Sequence, residues 1–99
     1  MLTSDARVAT DRASRYLAQL CKHFAHKAHT EWDDVRGFAD FGWGRCTLTA
    51  TPDALLLHAE APDPEGLGRV EYVVGDHASR FGARDNLTVD WARPAQPAR

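Results

Sequence analysis

Apolar residues recur at helical spacing through the first third of the chain. The recurring positions are Ala13, Leu17, Leu20, Phe24 and Ala28. At about 100° per residue they fall on one side of a helix, with Tyr16 and Cys21 at the two margins of this apolar stripe. The pattern predicts an amphipathic helix of about five turns. It begins at Thr10 or Asp11, whose side chains can accept free backbone N–H groups, and ends near His29.

The residues after this helix follow the two-residue alternation of strands. Residues 29–32 and 37–41 flank a short polar break, and residues 45–51 place Cys46 and Leu48 on one face and threonines on the other. Pro52 and Asp53 make a turn, after which residues 54–61 return as a strand. A closing strand is expected over residues 86–92 and a short opening strand over residues 6–10.

A second helix is predicted between residues 63 and 82. Asp63 caps it, Pro64 occupies the first helical position and Gly82 ends it. Its expected buried stripe consists of Leu67, Val70, Val74, Ala78 and Phe81. Each internal glycine costs about 1 kcal/mol relative to alanine. The sequence therefore predicts either a close-packing seam or a marginally stable helix at Gly66, Gly68 and Gly75.

The element order, β-α-β-β-β-β-α-β, predicts an α+β fold. Helices with one apolar stripe and strands with one apolar face are buried together in a two-layer sandwich, with both helices on one side of a mostly antiparallel sheet. The threonine-rich outer face must then meet water or a partner. We expect residues 1–92 to form a single domain and residues 93–99, "RPAQPAR", to be a disordered tail.

Composition and charge narrow the classes of function. The 99 residues are 43% hydrophobic and 26% charged, as in ordinary globular proteins, and the net charge of −2 provides no basic field for nucleic acid. No segment approaches the ~18 consecutive apolar residues of a membrane helix. The N-terminus lacks the features of a signal peptide, so we expect a cytoplasmic protein with no membrane partner. Two cysteines are too few for a disulfide scaffold.

The stretch "CKHFAHKAH", residues 21–29, is a candidate metal site. Cys21 and His23 lie about 160° apart around a helix, so they cannot share a metal. His23 and His26 are three residues apart, with Cβ atoms about 5–6 Å from one another. This pair can provide two ligands for Zn²⁺ or Fe²⁺, but such a site needs a third. The spacing does not select among the possible third ligands, which are Glu31, Asp33, His58 and Asp76.

The same flank of the helix is also a candidate anion site. Arg12, Gln19, His23 and Lys27 follow one another at spacings of seven, four and four, with Tyr16 beside them. Such a ridge of donors suits a carboxylate, phosphate or catecholate, or an acidic partner surface. At its border, His23 would titrate near neutral pH. A solvated helix end is the plainer alternative, since basic residues in a last turn oppose the negative end of the helix dipole.

Motifs for catalysis are absent from the sequence. No glycine-rich phosphate loop follows a strand, and no serine lies in a G-x-S-x-G turn. Cys46 shares a strand face with Leu48, which is a core position and not that of an exposed nucleophile. These observations favour a binding protein over an enzyme.

The segments "ATDRASRYLAQLCKHFAHK", "GRCTL", "LLLHAEA" and "LTVDW" resemble a bacterial family defined as a domain of unknown function, DUF2218. The likeness covers roughly residues 4–92, and its most specific part runs from Arg15 to Lys27. The resemblance implies a stand-alone bacterial α+β domain. Members of this family sometimes occur beside siderophore-interacting flavin reductases, so the resemblance also points to iron handling. The family has no established functional residues, so none is transferred.

Three functions follow from these observations. The leading expectation is a non-enzymatic accessory or binding module. It would use Arg12, Tyr16, Gln19, His23 and Lys27 for an anionic ligand or for a protein partner such as a siderophore reductase. The first alternative is a metal-binding protein or a small metal-dependent enzyme with His23 and His26 as ligands. The second is a homodimer that associates through the outer sheet face.

Overall fold

Five antiparallel strands and two helices make up residues 1–94, the part of the chain described by the computed structural model. In chain order the elements are β1 (Leu2–Ala9), α1 (Ala13–Phe24), β2 (His29–Trp32), β3 (Arg36–Asp40), β4 (Arg45–Ala50), β5 (Ala54–Ala61), α2 (Pro64–Phe81) and a 3₁₀ turn (Ala83–Asp85). The strands lie in the order β1-β5-β4-β3-β2. The predicted α+β fold is confirmed.

The sheet has one covered and one open face because its strands alternate apolar and polar residues. Cys46, Leu48, Leu55 and Leu57 face the helices and are fully or almost fully buried. The opening strand is longer than expected, and β1 pairs with β5 along its whole length. On the open face, the antiparallel register aligns outward-facing residues of β1, β5 and β4 in rows that run across the strands, such as Asp5, His58 and Thr47.

Helix α1 is shorter than predicted at both ends: it begins at Ala13, where Arg12 is the N-cap and no side chain caps the first turn, and it ends at Phe24 instead of near His29. Ala28 continues the apolar spacing, but β2 already begins at His29, so the intervening residues must reverse the chain. The N–H groups of Lys27 and Ala28 both donate to the Phe24 carbonyl, which closes the turn. His26 and Lys27 therefore lie in this turn and not on the helix.

Helix α2 has the predicted boundaries. Asp63 Oδ1 accepts the Gly66 N–H at 2.6 Å, which caps the first turn. A Cβ atom at Gly66 would lie 2.9 Å from the Trp43 carbonyl oxygen, and one at Gly75 would lie 3.0 Å from Trp91 Nε1. The expected close-packing seam thus exists at two of the three glycines, because at Gly68 the nearest atom would be 3.8 Å away.

The closing segment, residues 86–92, is not the strand that the sequence predicted. Leu87 is buried, and Val89 and Trp91 are half-buried, so the expected alternation is present. Val89 and Trp91 pack against α2 at Gly75, however, and the backbone meets β1 in a single bridge between Asp5 and Ala92. Because α2 covers the side chains of Val89 and Trp91, the segment does not need to join the sheet as a sixth strand.

The predicted tail, residues 93–99, falls mainly outside the described residues. Within the described part, Arg93 donates hydrogen bonds of 3.2 and 2.9 Å to the Glu71 carboxylate. No helix in residues 1–94 is long and apolar enough to cross a membrane.

Candidate functional site

A cleft of about 480 Å³ opens between the end of α1, the β3–β4 loop and α2. Its apolar lining comes from Phe24, Phe41, Trp43 and Val73. Phe24 meets Phe41 edge to face, with ring centres 5.4 Å apart and planes at 77°. Phe41 stacks on Trp43 at 5.0 Å and 18°. We call this site the histidine cleft, because His23, His26 and His77 complete its lining together with Lys27 and Arg69.

The fixed charges at the histidine cleft are all positive. Lys27 approaches from the turn after α1 and Arg69 from α2. The Arg69 guanidinium lies 4.0 Å from the ring centre of Trp43, a cation–π contact. Within residues 1–94, no aspartate or glutamate lines the cleft and no carboxylate pairs with Arg69. The cleft therefore offers unneutralised cations beside an aromatic surface.

The imidazoles of His23 and His77 pack together, with ring centres 4.5 Å apart. His77 Nδ1 lies 2.7 Å from the Val73 carbonyl oxygen. That nitrogen must donate, because a carbonyl oxygen only accepts, which leaves Nε2 free of this contact. His23 is exposed as a residue, but partial desolvation of its ring lowers its pKa, and repulsion from His77, His26 and Lys27 lowers it further. These effects favour the neutral form of His23.

The candidate anion ridge divides into two parts. The Tyr16 hydroxyl donates to Asp85 Oδ2 at 2.5 Å, and Arg12 Nη1 lies 3.9 Å from the same oxygen. This hydrogen bond, burial and the Asp85 charge raise the pKa of Tyr16. Asp85 thus neutralises the Arg12 end of the ridge, and Gln19 is exposed on α1 between the two ends. The other end, His23 and Lys27, belongs to the histidine cleft.

The candidate metal pair gains no third ligand from the described residues. His23 and His26 have ring centres 6.4 Å apart. Across residues 1–94, no three histidine, cysteine, aspartate or glutamate side chains are grouped so as to hold a metal ion. His58 lies 2.6 Å from Asp5 on the open sheet face. The remaining candidates also have other partners: Asp76 pairs with Arg80, Glu31 with His29, and Asp33 accepts from the N–H groups of Val35 and Arg36.

Neither cysteine is suited to nucleophilic chemistry. Both are fully buried, and burial raises the pKa of the Cys21 thiol to about 11 and that of the Cys46 thiol to about 12. Because the thiolate is the reactive form, both side chains are inert at neutral pH. They act as small apolar core residues between α1 and the sheet.

Sequence reasoning located His23, His26 and Lys27 but missed half of the cleft. Arg69 and His77 come from α2, and Phe41 and Trp43 from the β3–β4 loop. A signal existed for His77, which lies four residues after Val73, at the margin of the apolar stripe of α2. Arg69 carried no signal of its own, because an exposed arginine in a helix is ordinary.

Comparison with known proteins places the chain among bacterial proteins. A family model described as "Uncharacterized protein conserved in bacteria (DUF2218)" matches residues 5–92. The NMR structure of PA4090 from Pseudomonas aeruginosa is similar, with 39% sequence identity and a TM-score of 0.80. The similarity covers 98% of this chain and 100% of that one. No curated protein matches the chain.

Proposed function

The chain belongs to the bacterial DUF2218 family, and we propose that it is a non-enzymatic binding module that holds a small anionic ligand in the histidine cleft. The observation that carries this proposal is the pairing of two cations, Lys27 and Arg69, with an aromatic lining that includes no described carboxylate. A ligand anion would supply the missing counter-charge.

The energetics favour an anion at this position. A hydrogen bond to a charged group contributes about 1.5–3 kcal/mol, and the lower end of that range applies here because Arg69 and Lys27 are both exposed to solvent. Arg69 is held over Trp43, so less conformational freedom is lost when it engages a ligand. The volume of about 480 Å³ falls within the roughly 300–1,000 Å³ of small-molecule sites.

A titration with three anions tests this function. Isotope-labelled protein is titrated with millimolar benzoate, acetate and inorganic phosphate, and NMR signals of His23, His77 and the Trp43 indole are followed. We expect at least one anion to shift these signals together. We expect Arg69→Gln to weaken that binding about tenfold, equivalent to 1.4 kcal/mol.

Arg45 provides the matched control. Its guanidinium also lies over an aromatic ring, 4.9 Å from the centre of Phe38, but on the open sheet face. Arg45→Gln should leave binding unchanged. An absence of shifts with all three anions, or equal weakening by the two arginine variants, would contradict the proposal.

The setting of this module is a separate proposal that rests on the sequence. We propose a cytoplasmic protein in iron–siderophore metabolism, because the family resemblance implies an association with siderophore-interacting flavin reductases. Cell fractionation tests the compartment. A competition between free 2,3-dihydroxybenzoate and its ferric complex tests the metabolic setting, since equal affinity for both would argue against a role with iron.

A second candidate function is self-association through the open sheet face. Leu56 is 37% exposed there and lies in a row with Arg7 and Arg36. At the other end of the strands, Asp40 and Glu60 lie in a row on either side of Arg45, which is 3.9 Å from Glu60. A second copy turned end for end would place arginines opposite carboxylates. Sedimentation at micromolar concentration tests this, and a monomer, or a dimer that persists in Leu56→Glu, would argue against it.

A further inference from the structure

We infer that the ligand of the histidine cleft is a planar aromatic carboxylate, whose carboxylate engages Arg69 and whose ring packs among the aromatic side chains of the cleft. This inference rests on the proposed function and names the chemical class of its ligand. Three features of the cleft support it: the placement of Arg69, the arrangement of the aromatic rings, and the close packing of the His23 and His77 imidazoles.

Arg69 is arranged to bind a flat, two-oxygen anion. Its guanidinium lies over the Trp43 ring at 4.0 Å, so one face of the cation is covered. No carboxylate of residues 1–94 pairs with Arg69, so its N–H donors are free to bind a ligand. A carboxylate matches two parallel donors, whereas a lysine ammonium acts as a point charge. Lys27 then adds a second positive charge without a geometric requirement.

The aromatic lining favours a ring over an aliphatic group. The contacts of Phe24 with Phe41 and of Phe41 with Trp43 are the edge-to-face and stacked arrangements that aromatic pairs prefer. Phe24 also meets His77 edge to face, with centres 5.4 Å apart and planes at 77°. A planar ring can extend this arrangement, and aromatic pairs gain attraction beyond the area that they bury.

The two packed histidines extend the aromatic surface of the cleft. His23 lies 4.5 Å from His77 and 5.6 Å from Phe81 between ring centres. His77 donates Nδ1–H to the Val73 carbonyl, so Nε2 is the ring nitrogen left for a ligand. A nitrogen at the edge of a flat ring can form a hydrogen bond with a hydroxyl on an aromatic ligand, while the face of the imidazole packs against the ligand ring.

The size of the cleft favours a small molecule over a protein segment. Stable protein interfaces bury at least about 1,000 Å² in total. A cleft of about 480 Å³ whose lining comes from nine side chains is instead on the scale of a one- or two-ring ligand.

A matched pair of acids tests the ligand class. Calorimetry measures binding of 2-naphthoate and of decahydro-2-naphthoate, which has the same charge and fused-ring skeleton but no aromatic system. Acetate is the charge-only reference. We expect 2-naphthoate to bind about tenfold more tightly than its saturated counterpart, and acetate to bind more weakly than either.

The outcomes separate this inference from the proposed function. Equal affinities for the two ring acids would overturn the aromatic class while leaving the anion site intact. Binding of none of the three acids would overturn the aromatic class, and it would overturn the proposed function as well if inorganic phosphate also fails to bind. Arg69→Lys retains the charge but not the paired donors, so we expect it to weaken 2-naphthoate binding about tenfold, with Arg45→Lys as the control. An unchanged affinity in Arg69→Lys would overturn the assigned contact with the carboxylate.

Discussion

Removing the Tyr16 hydroxyl tests its hydrogen bond to Asp85, the residue that neutralises the Arg12 end of the candidate anion ridge. In Tyr16→Phe the ring remains in the core, where Tyr16 is only 6% exposed, but the hydrogen bond to Asp85 is lost. Bonds to charged groups contribute about 1.5–3 kcal/mol. The Asp85 side chain is 29% exposed, so we take the lower part of that range, about 1.5–2 kcal/mol. This is a large fraction of a total stability of about 5–15 kcal/mol.

Urea and thermal unfolding at pH 7 measure this cost. For a domain of this size, about 1.5–2 kcal/mol lowers the Tm by about 6–16 °C. Tyr72→Phe is the control, because Tyr72 is 72% exposed and should change stability by less than about 0.5 kcal/mol. In an Asp85→Ala background the Tyr16 substitution should cost almost nothing, since its partner is already absent.

The contribution of the Tyr16–Asp85 hydrogen bond to stability should fall at high pH. The folded state raises the pKa of Tyr16 above its ordinary value of 10.0, because Asp85 accepts its proton in a hydrogen bond. The stabilisation is therefore fully present below pH 10.0 and is lost as the pH rises through the raised value in the folded state. Equal costs for the Tyr16 and Tyr72 substitutions, or additive effects with Asp85→Ala, would refute the reasoning.

Three further predictions concern the burial of the two faces of the sheet, the pKa of His23 in the histidine cleft, and the stability of α2 at Gly68. Leu57→Ala should lower the free energy of unfolding by about 2–5 kcal/mol in urea titrations, because Leu57 is 1% exposed. Leu56→Ala, on the open face, should cost under about 1 kcal/mol, and equal costs would contradict the assignment of faces. By NMR titration the pKa of His23 should lie below 6.5 and should rise in His77→Gln. An unchanged pKa in this variant would contradict the contact between the two imidazoles. Since the pKa of His23 is lowered in the folded state, its contribution to stability is present above pH 6.5 and decreases as the pH falls through the folded-state value. Gly68→Ala should raise stability by about 0.5–1 kcal/mol, as the nearest atom lies 3.8 Å from the added Cβ, and a loss of stability would contradict this.

The fold could be predicted from the sequence because each element carries its burial pattern in its own residues. Leu17 and Leu20 of α1, and Leu67, Val70 and Val74 of α2, are buried as their spacing predicted. The end of α1 could not be predicted in this way. Ala28 extends the apolar spacing, but the position where the chain turns depends on the pairing of β2 with β3. The same dependence on neighbours explains the closing segment, which packs over α2.

The candidate site was only partly predictable, because long-range packing assembles it. The cluster of histidines drew attention to His23 and Lys27, which are near in sequence. Arg69 and His77 reach the cleft only when α2 lies beside α1, and Trp43 only when the β3–β4 loop folds over Phe24. Asp85, which contacts both Arg12 and Tyr16, lies 69 residues after the tyrosine in the sequence. No local spacing of residues could have indicated these contacts.

The strand order also has a consequence for how the chain assembles. Strands β2 to β5 pair with their neighbours in sequence, so each hairpin can form as soon as its two strands have been synthesised. β1 is different, because Leu2 must wait for Ala61 before it has a partner. Closing that long loop carries an entropic cost before any contact compensates it. On the ribosome, the N-terminal strand is therefore the last of the five to find its place, although it is the first to emerge.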